Sequence, residues 1–123
     1  MLLDSFFTIV ECDSSSNGLA FYSITIDQGH DIYKGHFPGF PVTPGVVEIE
    51  IVKELMECHL NQKISLSKIY NCKFINILNP EETDSIEVKI EFRSFEPVIT
   101  IVADIYNSSR KFLNLKADFE LIS

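Results

Sequence analysis

Residues 46–61 read VVEIEIVKELMECHLN, sixteen residues without glycine or proline. Apolar side chains recur there at four-residue spacing along two adjoining rows, which is the pattern of a largely buried helix. These rows hold Val47, Ile51 and Leu55 on one side and Val52 and Met56 beside them. Glu50, Glu54 and Glu57 lie along a third row. We predict one long helix over about residues 44–60, with most of its surface buried.

The segments on both sides of this helix are extended in character. SFFTIVECD and GLAFYSITID flank the turn sequence SSSN, so residues 5–12 and 19–27 predict a hairpin. Four more strands follow in ISLSKIYNCKFINIL, SIEVKIEFRS, PVITIVADIY and KFLNLKADFELI. Two of them alternate apolar with polar residues, as in an antiparallel sheet with one wet face. We expect an α+β fold in which about six antiparallel strands wrap around one central helix, as a single domain over residues 1–123.

Composition excludes several classes of protein. A formal net charge of −8 argues against binding a nucleic-acid backbone, which requires clustered lysine and arginine. The apolar runs are far shorter than the roughly 18 residues of a membrane helix, and MLLDSFFTIVE lacks a basic region and a cleavage pattern. We therefore expect a cytoplasmic protein. Cys12, Cys58 and Cys72 share no ligand spacing, so reduced, buried thiols are favoured over disulfides or zinc.

The stretch KGHFPGFPVTPG, residues 34–45, concentrates prolines and glycines just before the helix. We predict Thr43 as the N-cap and Pro44 as the first helical residue. The amide of Gly45 would then face a ligand at the positive end of the helix dipole, although Thr-Pro-Gly is also simply a good helix start. His36 lies in a loop stiffened by prolines, and Glu50 either needs a partner inside the protein or faces water with the other helix acids.

The string GHFPGFPVTPGVVEIE, residues 35–50, resembles the signature of the (3R)-hydroxyacyl-[acyl carrier protein] dehydratases, the FabZ/FabA-like family of the hotdog fold. That signature is a GHFPG-x-P-x-x-PG block before a helix that bears an acid. The resemblance implies that His36 and Glu50 act together and that the Gly45 amide binds the thioester carbonyl. Phe37 and Phe40 would line the acyl tunnel or, equally well, belong to the core.

The activity implied by this resemblance is dehydration of 3-hydroxyacyl thioesters to trans-2-enoyl thioesters in fatty acid or related polyene-type biosynthesis. The family works without metal or redox cofactor, as a homodimer with shared active sites, on substrates carried by an acyl carrier protein. Two other functions stay open: a hotdog thioesterase, and an inactive subunit that pairs with an active homologue.

The chain departs from the family pattern after the helix. Relatives continue into KF-x-x-PV-x-PGD, whereas this chain has CKFINILNPEETDS and lacks the PGD segment at residues 79–85. Glu48 stands where relatives are usually apolar. It is either an extra acid near the site or a surface residue, and we favour the surface residue. His30 and His59 are expected to be structural.

Docking of an acidic carrier protein would need local positive charge, and the candidates are Lys34, Lys73, Arg93, Arg110 and Lys111.

Overall fold

The computed structural model describes residues 1–34 and 41–122. Within those ranges the chain forms six strands, one long helix and a short 3-10 turn at Asp31–Tyr33. The elements in chain order are β1 Phe7–Asp13, β2 Leu19–Ile26, α1 Gly45–Leu60, β3 Ile64–Phe74, β4 Ser85–Ser94, β5 Ile99–Tyr106 and β6 Lys111–Leu121. The predicted hairpin, the helix and the four later strands are all confirmed.

All six strands join one antiparallel sheet in the order β1-β2-β4-β5-β6-β3. Strand β2 pairs with β4, with Leu19 opposite Glu91, although α1 and β3 lie between them in sequence. Strand β3 pairs with β6, with Ile64 opposite Leu121, and forms one edge of the sheet. One helix enclosed by a six-stranded antiparallel sheet is the hotdog arrangement that the resemblance implies.

The helix and the sheet share one hydrophobic core. Ile51, Val52, Leu55 and Met56 of α1 are fully buried in the same cluster as the inward residues of the strands. Burial alternates regularly along β4, which confirms the prediction of a sheet with one polar face. Each large apolar side chain buried in this way stabilises the fold by about 1.5–3 kcal/mol, so the helix is held by packing.

The start of the helix differs by one residue from the prediction. Pro44 has φ −61° and ψ 145°, so it is the N-cap and Gly45 is the first helical residue. Thr43 lies one residue before the cap, and its hydroxyl is hydrogen-bonded to the Tyr33 hydroxyl at 2.8 Å. At the other end Asn61 adopts the left-handed conformation that commonly terminates helices.

The acidic residues of α1 are more buried than the sequence suggested. Glu48 is 3% exposed, so its interpretation as a surface residue is wrong. Glu54 and Glu57 are also buried, and thus do not face water. The latter two have backbone partners. Glu54 accepts hydrogen bonds from two amides at the start of the chain, and Glu57 accepts one from the amide of Ile64 at 3.0 Å.

The structure tests two further expectations, that the cysteine thiols are buried and that the chain has no membrane helix. Cys12 and Cys58 are exposed and Cys72 is partly buried, so the expected burial of all three thiols is wrong. Across residues 1–34 and 41–122, no helix has the length and apolar character needed to cross a membrane.

Candidate active site

The first turn of α1 borders an open cavity of about 330 Å³. The cavity lies between this turn and the loop that follows β3, and Gly45, Glu48 and Phe74 all contribute to its wall. A Cβ added to Gly45 would lie 2.5–3.0 Å from three atoms of the Phe74 ring. Only glycine permits so close an approach, so the Phe74 ring packs directly against Gly45 at the positive end of the helix.

Glu48 brings a carboxyl group into this region. Its Oε1 atom is buried and has no hydrogen-bond partner in the described part of the chain. Burial raises the pKa of Glu48 from 4.5 to about 8, because a charged carboxylate is poorly solvated there. Near neutral pH the group is therefore a neutral carboxylic acid, with a proton that it can donate.

Glu50 lies on a different face of the helix and is not part of the wall of this cavity. Its side chain is 36% exposed, and one carboxylate oxygen lies 3.7 Å from Nζ of Lys53. Burial, and then a hydrogen bond with the carboxyl of Glu54, raise the pKa of Glu50. Burial by itself would raise the pKa of Glu54. Hydrogen bonds from Glu50 and from the amides of Leu2 and Leu3 together outweigh burial, so the pKa of Glu54 is lowered overall. Glu50 is thus the member of the pair that holds a proton more readily.

Three of the predicted site residues, His36, Phe37 and Phe40, lie outside the described residues. The residues that flank this stretch are described. Tyr33 and Thr43, which precede and follow it, are joined by the hydrogen bond between their hydroxyl groups. This contact brings both ends of the stretch to the start of α1.

The two described histidines make structural contacts. Nδ1 of His30 accepts a hydrogen bond from the amide of Ile32 at 3.0 Å, and its ring meets the edge of Phe6. The ring of His59 stacks on Phe92 with centroids 4.9 Å apart. In the part of the chain that is described, no group of three or more potential metal ligands occurs.

The chain is similar to known dehydratases over most of its length. Residues 12–105 match the ApeI-like family, described as ApeI dehydratase. FabZ, a 3-hydroxyacyl-[acyl-carrier-protein] dehydratase, of Wolbachia pipientis wMel is 30% identical over an alignment of 93 residues, and the match covers 68% of this chain and 62% of that protein. The FabZ of Rickettsia massiliae is 25% identical over 115 residues, covering 83% of this chain and 78% of the relative. The chain thus spans about three fifths of the first of these relatives.

Solved structures agree with the fold. The dehydratase heterocomplex ApeI:P from Xenorhabdus doucetiae contains a chain that superimposes with a TM-score of 0.74 at 23% identity, covering 91% of this chain and 96% of that one. An uncharacterized protein from Erwinia carotovora subsp. atroseptica gives a TM-score of 0.70 at 18% identity, with coverage of 94% and 97%. At these identities the likeness concerns the fold. From the family match over residues 12–105, we conclude that the chain belongs to the ApeI-like family.

Proposed function

We propose that this protein is a hydro-lyase that converts 3-hydroxyacyl thioesters carried by acyl carrier protein into trans-2-enoyl thioesters. The observation that carries the proposal is the start of α1. There Gly45 borders a cavity, and the family's acid, Glu50, follows five residues later on the same helix. The curated relatives named above bear the same activity in their names. A role in fatty acid or polyene-type acyl synthesis follows from that activity.

The chemistry is a β-elimination. Neutral His36 removes the α-proton, and the electron pair moves into the Cα–Cβ bond as the C–O bond of the hydroxyl breaks. The Gly45 amide stabilises the negative charge that develops on the thioester oxygen. Glu50 donates its proton to the leaving hydroxyl, which departs as water. A raised pKa suits Glu50 to this role, because the acid must be protonated when substrate arrives.

We further propose that the active site is shared between the two subunits of a homodimer. Glu50 does not border the cavity of its own subunit, so it would serve the cavity of the partner. The outer edge of β3 pairs with no strand among residues 1–34 and 41–122. Exposed apolar side chains follow this edge: Leu66, Ile69, Tyr70, Phe74, Ile75 and Ile77. An unprotected apolar edge of this kind favours pairing with a second copy.

Mutants of the two proposed catalytic residues test the function. His36→Ala and Glu50→Gln should each lower turnover of a 3-hydroxyacyl thioester by about a hundredfold or more. Glu120→Gln, on the exposed end of β6, is the matched control and should leave turnover unchanged. Turnover is followed by the absorbance of the enoyl thioester, with release of free thiol measured in parallel. Full activity of His36→Ala, or release of thiol without enoyl product, would contradict the proposal.

Mixing the two inactive mutants tests the shared site. After subunit exchange a heterodimer carries one intact site, so random mixing should restore about one quarter of wild-type activity. Exchange is verified with a tag on one mutant. If activity stays absent although heterodimers form, each site belongs to one subunit and the shared arrangement is wrong.

Acyl carrier protein is the proposed partner, and the basic candidates separate into two groups. Lys73 lies near the end of β3, and Lys111 begins β6 opposite Tyr106, the last residue of β5. This is the end of the sheet at which Phe74 meets the start of α1. Lys34 and Arg110 flank elements at the same end. Arg93 lies at the opposite end of the sheet, near the last residues of β4.

Charge reversal tests this placement. Replacing Lys73, Arg110 and Lys111 together by Glu should raise KM for the carrier-bound substrate by about tenfold at low salt, because acidic carrier proteins would be repelled. KM for a pantetheine-bound substrate should not change. Arg93→Glu is the matched control. If the triple mutant and the control behave alike, the carrier docks elsewhere or the substrate is a coenzyme A thioester.

A further inference from the structure

Building on the proposed function, we propose that Glu48 acts as a second hydrogen-bond donor to the thioester carbonyl oxygen. Its protonated carboxyl and the Gly45 amide would bind the same oxygen of the substrate from two sides. Glu48 would then be a catalytic residue in addition to His36 and Glu50.

The positions of the two groups on the helix support this. Glu48 follows Gly45 by three residues, and residues at this spacing lie on the same side of a helix. Helical side chains lean toward the N-terminus, so the side chain of Glu48 is directed toward the turn that Gly45 begins. Both residues border the same cavity, whereas Glu50 does not.

The neighbouring polar groups are already engaged with one another. The Thr43 hydroxyl bonds the Tyr33 hydroxyl, and the Thr43 amide donates to the carbonyl of Leu78 at 2.9 Å. Pro44 has no N–H to offer, and its carbonyl accepts from the amides of Val47 and Glu48. The Glu48 carboxyl atom Oε1 therefore stays buried without a partner among residues 1–34 and 41–122. Because buried polar atoms are nearly always hydrogen-bonded, this unmet hydrogen bond beside the cavity supports a role for the carboxyl group in binding a ligand.

The charge state suits a donor. Burial raises the pKa of Glu48 to about 8. Among residues 1–34 and 41–122, the titratable groups that face it from other elements are Tyr33 on the 3-10 turn and Cys72 on β3. Burial raises the pKa of both, to about 12 for Tyr33, so both are neutral at pH 7 and neither draws the proton away. A carbonyl oxygen that gains negative charge during α-proton removal accepts a hydrogen bond from such an acid strongly.

Two variants and two probes test the assignment. Glu48→Gln keeps a neutral donor of the same shape, and Glu48→Leu removes the donor while keeping the side chain buried. The probes are crotonyl-pantetheine and the corresponding thioether, in which CH₂ replaces the carbonyl. The preference is the ratio of the affinities for the thioester and the thioether. We expect this ratio to agree within about threefold between wild type and Glu48→Gln, and to be about tenfold lower in Glu48→Leu. Turnover by Glu48→Leu should fall by about a hundredfold, the usual effect of losing one such donor.

Calorimetric binding and thermal unfolding separate the outcomes. If Glu48→Leu unfolds at the wild-type temperature or higher and keeps the wild-type preference for the thioester, Glu48 is not a donor and the proposal fails. A wild type that binds both probes equally also overturns it. If the preference depends on Glu48 but wild type dehydrates no 3-hydroxyacyl thioester, the proposed function is wrong while the binding role of Glu48 stands.

Discussion

Replacing Glu48 by Gln should change how the stability of the protein depends on pH. In the folded chain burial raises the pKa of Glu48 from 4.5 to about 8. Between these values the folded state keeps the proton and the unfolded state loses it, so stability falls as pH rises. Since each factor of ten in proton affinity corresponds to about 1.4 kcal/mol, the loss amounts to at most about 5 kcal/mol between pH 4.5 and pH 8. Glu48→Gln has no such proton and should not show this loss.

The assay is urea unfolding of wild type and Glu48→Gln at several pH values from 5 to 8, at one protein concentration because an oligomer's stability depends on it. The difference between the two proteins isolates Glu48 from every other titrating group. We expect the free energy of unfolding of Glu48→Gln to rise relative to that of wild type by about 1 kcal/mol for each unit of pH in this range. Above pH 8 the difference should level off, because both states of wild type are then ionised.

Parallel pH profiles for the two proteins would refute the reasoning. They would mean that Glu48 is ionised in the folded state at pH 7, and hence solvated or paired in solution. An opposite slope, with wild type gaining stability as pH rises, would mean that a positive group lies against the carboxylate.

Two further substitutions test contacts of the helix. Gly45→Ala places a methyl group against the ring of Phe74. Because that ring is 52% exposed and can move, we expect the free energy of unfolding to fall by less than about 1 kcal/mol. Turnover should fall at least tenfold, since the methyl group and the displaced ring crowd the Gly45 amide. The control is the double mutant Gly45→Ala with Phe74→Ala, which should recover turnover, and unchanged turnover in Gly45→Ala alone would contradict the prediction. Glu54→Gln weakens the hydrogen bonds from two amides at the start of the chain, so it should lower the free energy of unfolding by about 1–3 kcal/mol and speed the exchange of those amides. The exposed substitution Glu120→Gln is the control and should leave both quantities unchanged. Equal stability of the two variants would show that these bonds contribute little.

Local sequence patterns were sufficient to predict the helix and all six strands: apolar periodicity for the helix and two strands, and extended segments between turn sequences for the others. The periods of 3.6 and 2 residues follow from backbone geometry, so they are visible without knowledge of the fold. The motif also identified Gly45, which the structure places at the first turn beside a cavity. Glu48 was misread, although it begins the four-residue row that continues through Val52 and Met56, and that spacing predicts the buried face.

Other features depend on contacts between distant segments. The place of β3 at the sheet edge, beyond β6, results from which strands pair, and local sequence does not encode pairing partners. The burial of Glu54 and Glu57 depends on the start of the chain and on β3, whose amides lie against the helix. The Thr43 hydroxyl is hydrogen-bonded to Tyr33, ten residues earlier, and does not cap the helix. The sequence by itself therefore determined which segments are helical or extended, since periodicity is local; only the tertiary structure decided which acids are buried, because burial depends on what packs against them.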